Sequence, residues 1–175
     1  MKLKIVFLSL IFVTSTNLNA QDSPLKYEQI LEFENLNKNS LFVGLNEWIA
    51  ISFNSANNVI QMADKEAGKF IVKGSDSYST GRLLTNCYDG RIKFTLNIDV
   101  RENRTRIIMS NIFHETDGAC EVGILTTSQE FQQRGISKKG ATRIWLQMKK
   151  QAEDLFSTLI SSINTSLQNE SNDDW

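Results

Sequence analysis

Arg91-Ile-Lys-Phe-Thr-Leu-Asn-Ile-Asp-Val100 alternates polar and apolar residues without a break, and after Arg101-Glu-Asn-Arg104 the chain returns as Thr105-Arg-Ile-Ile-Met-Ser-Asn-Ile-Phe-His114. Successive side chains of a strand point to opposite faces, so a period of two marks a strand buried on one side and wet on the other. The polar tetrapeptide joins the two runs into a long hairpin. Centring the turn on Glu102 and Asn103 sets Ile98 against Ile107, Leu96 against Met109 and Ile92 against Phe113 on the inner face. It pairs Asp99 with Arg106, Thr95 with Ser110 and Arg91 with His114 on the outer face, which is chemically sensible. Extended past the open end, this register brings Cys87 close to Cys120, so a Cys87–Cys120 disulfide is expected to close the hairpin.

Upstream, residues 27 to 34 also alternate, with Tyr27, Leu31 and Phe33 on one side and Glu28, Glu32 and Glu34 on the other. This is a half-buried strand whose glutamates form a solvated face, because no second acidic segment is spaced to complete a calcium or acid–base site. Asn37 or Asn39 offers an N-cap for a helix over about 40 to 53, with Leu41, Leu45, Trp48 and Ile49 on one stripe. Residues 59 to 63 and 69 to 73 flank Asp64-Lys-Glu-Ala-Gly68, a second hairpin. Residues 74 to 90 are rich in glycine and serine and read as a loop, with a short edge strand over 82 to 85.

Beyond the long hairpin, residues 116 to 141 read as a loop region. A last helix over 142 to 167 carries Trp145, Met148, Ala152, Phe156, Ile163 and Leu167 at helical spacing. Residues 168 to 175 are expected to be a disordered tail. The order is β-α-β-β-β-β-α, which implies a two-layer α+β domain: an antiparallel sheet with its helices on one face.

The N-terminus sets the compartment. Lys2 and Lys4 precede an apolar run from Ile5 to Val13, and a polar stretch ends at Ala20, the pattern of a secretory signal peptide cleaved after Ala20. The run is too short to span a bilayer. Residues 21 to 26 then form a linker, and the mature protein is expected to be periplasmic or secreted, with no membrane span.

The 175 residues carry 19 basic and 20 acidic side chains, a formal charge of −1. That balance argues against nucleic acid as a partner. One histidine and two cysteines exclude a histidine-rich metal site or a dense disulfide scaffold. No Gly-x-Ser-x-Gly elbow or phosphate-binding loop occurs; Gly135-Ile-Ser-Lys-Lys-Gly140 has the wrong spacing for either. A Cys120–His114 nucleophile pair is conceivable, but an oxidising compartment makes the disulfide the better use of that thiol. No catalytic residue, metal or cofactor is expected. Residues 134 to 150 hold six basic residues and no acid, which reads first as a solvated helix face.

With both helices on one side, the other sheet face stays open, lined by Lys93, Thr95, Ile108, Ser110, Ile112 and His114 among others. Ile108 and Ile112 would form an apolar strip with a polar rim, a candidate contact site for an unidentified protein or envelope component, or for a second copy of the chain.

Together these pieces resemble a family of uncharacterised exported bacterial proteins, mostly from Bacteroidota, described as a domain of unknown function with a TATA-box-binding-protein-like fold. The resembling stretches are Tyr27-Glu-Gln-Ile-Leu-Glu-Phe-Glu34, Glu47-Trp-Ile-Ala50, Val59-Ile-Gln-Met-Ala-Asp-Lys-Glu-Ala-Gly68 and residues 90 to 111, within 27 to 115. The resemblance implies that fold and no catalytic or binding residue. The namesake of the fold binds DNA on its open sheet face, but this chain is acidic and carries an export signal, so that activity is not transferred. The sequence points to a non-catalytic binding or assembly module, with a small envelope enzyme as the alternative.

Overall fold

A computed structural model describes residues 22–53, 59–118 and 120–170. The expected signal segment, and residues 171–175 of the expected tail, lie outside them. The described elements are β1 (Tyr27–Glu32), α1 (Lys38–Ser52), β2 (Ile60–Asp64), β3 (Lys69–Tyr78), a 3₁₀ helix (Leu83–Tyr88), β4 (Gly90–Arg101), β5 (Arg104–Glu115), β6 (Gly123–Ile124) and α2 (Lys138–Glu170). The strands form one antiparallel sheet in the order β1-β5-β4-β3-β2, with β6 also on β5.

The β4–β5 hairpin lies at the centre, with the expected turn: Arg101 pairs with Arg104, and Ile98, Leu96 and Asp99 face Ile107, Met109 and Arg106. Asn103 takes φ +59° there, a conformation asparagine tolerates better than most residues. Its carbonyl accepts from Phe33 N–H at 2.8 Å and its own N–H donates to Leu36 at 3.0 Å, fastening the turn to the end of β1. Helix α1 then starts where Asn37 Oδ1 accepts from Ser40 N–H at 2.9 Å.

The first departure from expectation is β3, which continues to Tyr78 through residues that read as loop. Gly74 faces Phe94 in register, and a Cβ on it would meet the Phe94 ring at 2.3 Å. Glycine there makes room for an aromatic ring rather than marking a turn. The expected edge strand over 82 to 85 is replaced by the start of the 3₁₀ helix, because the chain must turn from β3 back into β4.

Both helices pack on one sheet face. Phe42 stacks on Phe70 with ring centroids 4.2 Å apart, Tyr27 stacks on Phe156 at 5.6 Å, and Trp48 Nε1 donates to Ser162 Oγ at 3.0 Å. The core between the layers holds Leu41, Leu45, Ile49, Leu96, Ile98, Ile107, Met148 and Ile163, all essentially without solvent exposure.

Helix α2 is longer than expected at both ends. It begins at Lys138 because Ser137 caps it, its Oγ accepting from Gly140 N–H at 3.2 Å, and it runs to Glu170 rather than ending at residue 167. The expected loop over 116 to 141 contains β6, and its continuation lies against α2: Phe131 stacks on Trp145, and Ser128 C=O accepts from Trp145 Nε1 at 2.9 Å.

Candidate functional site: the helix-free sheet face

The register allots the outward side chains. From β4 come Arg91, Lys93, Thr95, Asn97 and Asp99; β5 supplies Arg106, Ile108, Ser110 and Phe113; Glu28 and Ile30 come from β1 and Ile71 from β3. Of the expected contact residues, Lys93, Thr95, Ile108 and Ser110 therefore lie together on the open face.

Ile112 and His114 do not. Thr95 pairs with Ser110, but Lys93 pairs with Phe113, so Asn111 and Ile112 together oppose Phe94. This is a β-bulge, and Asn111 accommodates it at φ +50°. The extra residue reverses the side-chain parity of the rest of β5. Ile92 consequently faces His114 rather than Phe113, and Arg91 faces Glu115 rather than His114. Ile112 and His114 become fully buried under the helices, and Phe113 turns outward.

His114 is not a strand-end histidine available to solvent. Its Nδ1 accepts from Val122 N–H at 3.2 Å, which leaves the proton on Nε2, 2.9 Å from the Tyr88 carbonyl oxygen that accepts it. Burial lowers its pKa below the ordinary histidine value, against the opposing effects of the Tyr88 hydrogen bond and Glu121. The ring thus ties β5 to the 3₁₀ helix and to the strand-edge loop. Beside it the Cys87–Cys120 disulfide forms as expected, with Cα atoms 5.4 Å apart. Both thiols are consumed, so a Cys120–His114 nucleophile pair does not exist in this fold.

On the open face, polar residues neutralise one another in the middle. Arg106 Nε donates to Asp99 at 3.1 Å and its guanidinium lies 4.0 Å from Glu28; Lys69 approaches Asp99 at 3.7 Å; Lys93 pairs with Glu115; and Asn97 Nδ2 donates to Ser110 Oγ at 3.3 Å. Hydrogen bonding from Lys26, assisted by Arg106, lowers the Glu28 pKa.

The apolar residues emerge between these pairs. Ile30 is 49% exposed and sits diagonally from half-buried Ile108; Phe113 faces Ile124, which is 53% exposed; and Ile71 faces Met62. A shallow cavity of about 200 Å³ is bordered by Ile30, Asp99, Arg101, Arg104 and Arg106. Ile30 was not among the expected contact residues, although its position as the one apolar residue on the glutamate side of β1 was the signal that could have found it. Phe113 was expected on the inner face, and its true facing depends on the bulge. Among the described residues, no group of three or more His, Cys, Asp or Glu side chains could hold a metal ion.

A five-strand antiparallel path with a sixth strand at its edge, both helices on one face and, among the described residues, the other face uncovered, defines a two-layer α+β domain of the TBP-like class. Residues 27–115 match the family described as a domain of unknown function (DUF4468) with TBP-like fold, and the chain belongs to that family. Among solved structures it is similar to a TBP-like protein from Parabacteroides distasonis, with 19% identity, a TM-score of 0.54, and coverage of 81% of this chain and 93% of that one. It is also similar to a DUF4468 family protein from Bacteroides ovatus, with 10% identity, a TM-score of 0.56, and coverage of 80% and 86%. At these identities the likeness is one of fold. No curated protein matches the chain.

Proposed function

We propose that this protein is a non-catalytic binding or assembly module of the periplasm or extracellular space, engaging its partner through the helix-free sheet face. The observation that carries the reading is the pair Ile30 and Ile108, apolar side chains on a face that both helices leave uncovered, set among compensated charges. A purely solvated strand would carry polar residues at such positions. Export is supported by the signal-like N-terminus and by the disulfide, a bond that oxidising compartments preserve.

The test is the double variant I30T/I108T, which keeps β propensity while removing apolar surface. It should keep the wild-type melting temperature within a few degrees and lose self-association in sedimentation or a partner captured from the native envelope. A variant that folds and retains every such contact would reject the reading.

A further inference from the structure

The outer edge of β1 is a second unpartnered feature of the sheet. Among the described residues β1 pairs only with β5, and Glu28, Gln29 and Ile30 are exposed. Its backbone parity is fixed at both ends. Leu25 N–H donates inward to Leu125 C=O at 2.8 Å and Phe33 N–H donates inward to Asn103 C=O at 2.8 Å. The alternation of an antiparallel strand therefore turns the N–H and C=O groups of Lys26, Glu28, Ile30 and Glu32 outward. Ile30 C=O accordingly finds its partner within its own strand, accepting from Gln29 Nε2 at 3.1 Å. Such a row of outward backbone groups is a template for a further strand.

The charges along the edge select what that strand can be. Charged residues usually protect an edge from its own copies. In an antiparallel pair of β1 strands, a two-fold axis through Glu28 would oppose that carboxylate to itself, and one through Ile30 would oppose Glu28 to Glu32. An axis through Tyr27 would bring Pro24, which has no N–H, into the ladder. An axis through Gln29 avoids all three conflicts. It sets Lys26 against Glu32 at both ends, Tyr27 against Leu31 on the covered side and Glu28 against Ile30 on the open side, and it makes the two Ile30 side chains diagonal neighbours. Within one chain Lys26 reaches Glu28 at 2.8 Å, an exposed contact that the pairing exchanges for the partner's Glu32.

We propose that the β1 edge is a homodimer interface, at which two copies join antiparallel about a two-fold axis through Gln29 and their sheets become one. It uses the edge of the sheet and does not rest on the reading of the open face. The ladder is short, so association should be weak and concentration-dependent. The test is sedimentation equilibrium of the oxidised protein up to millimolar concentration, which should show monomer and dimer in exchange. E28P removes an outward N–H while keeping Ile30 and Ile108; it should hold the melting temperature of dilute wild type within a few degrees and dimerise roughly tenfold or more weakly. K26E should weaken dimerisation by roughly tenfold, and K26E/E32K should restore it. Q29C sets two cysteines at a non-hydrogen-bonded pair, with Cα atoms about 4.5 Å apart, and should form a covalent dimer under mild oxidation, whereas E32C should not. I108T should dimerise like wild type. Wild-type protein that stays monomeric overturns the proposal, as does a dimer that survives in E28P and K26E; if that dimer is lost in I108T, it belongs to the open face instead.

Discussion

Ile108 and Ile112 are chemically identical and only four residues apart on one strand, yet they occupy different environments. Ile112 is fully buried, whereas Ile108 is half-buried on the open face. Replacing Ile112 with threonine should cost about 2–4 kcal/mol, from lost packing and a buried hydroxyl. The same change at Ile108 should stay within about 1 kcal/mol, a contrast that urea unfolding measures directly. His114 supplies the pH counterpart. Its folded pKa is depressed, so the unfolded chain takes up the proton first as pH falls. The stability it contributes is complete above the ordinary value of 6.5 and is lost progressively below it. H114F should be destabilised by about 2–4 kcal/mol at neutral pH, because Tyr88 C=O and Val122 N–H lose their partner in a buried site. Its melting temperature should also depend less on pH below 6.5 than that of the wild type; an unchanged dependence would exclude His114 as the titrating group.

At the scale of elements, the sequence showed its strands best where alternation was strict, in β4 and in the first half of β5. It failed at Asn111, because a single inserted residue leaves each half-strand looking regular while reversing the second half. An asparagine at an interior strand position was the available signal, since asparagine is depleted in strands and enriched at positive φ. N111V should therefore destabilise the hairpin by about 1–2 kcal/mol, and N111G should be neutral or slightly stabilising, as read by chemical denaturation. The second half of β3 was hidden for another reason. Its glycine and serines have weak strand propensity, and it is β4, paired with it from Lys69 to Tyr78, that dictates its conformation. The disulfide was legible because covalent proximity needs only an approximate register, and it survives a shift of one residue.

Among the described residues one sheet face is covered and the other open, an asymmetry that follows from having two amphipathic helices and a sheet that is predominantly apolar on one side. Which outward residues are apolar could be read only in part, since Ile30 and Ile108 meet through strand pairing far apart in sequence. Export is tested by the intact mass of protein recovered from the periplasm, which should correspond to a chain beginning at Gln21; full-length chain in the membrane fraction would contradict it. The most direct test of the sheet-face account is site-specific photocrosslinking in the native host, with p-benzoylphenylalanine placed at Ile108 or at Ser157 on the outer surface of α2. The account requires discrete adducts from position 108 and none from position 157; adducts confined to position 157 would contradict it.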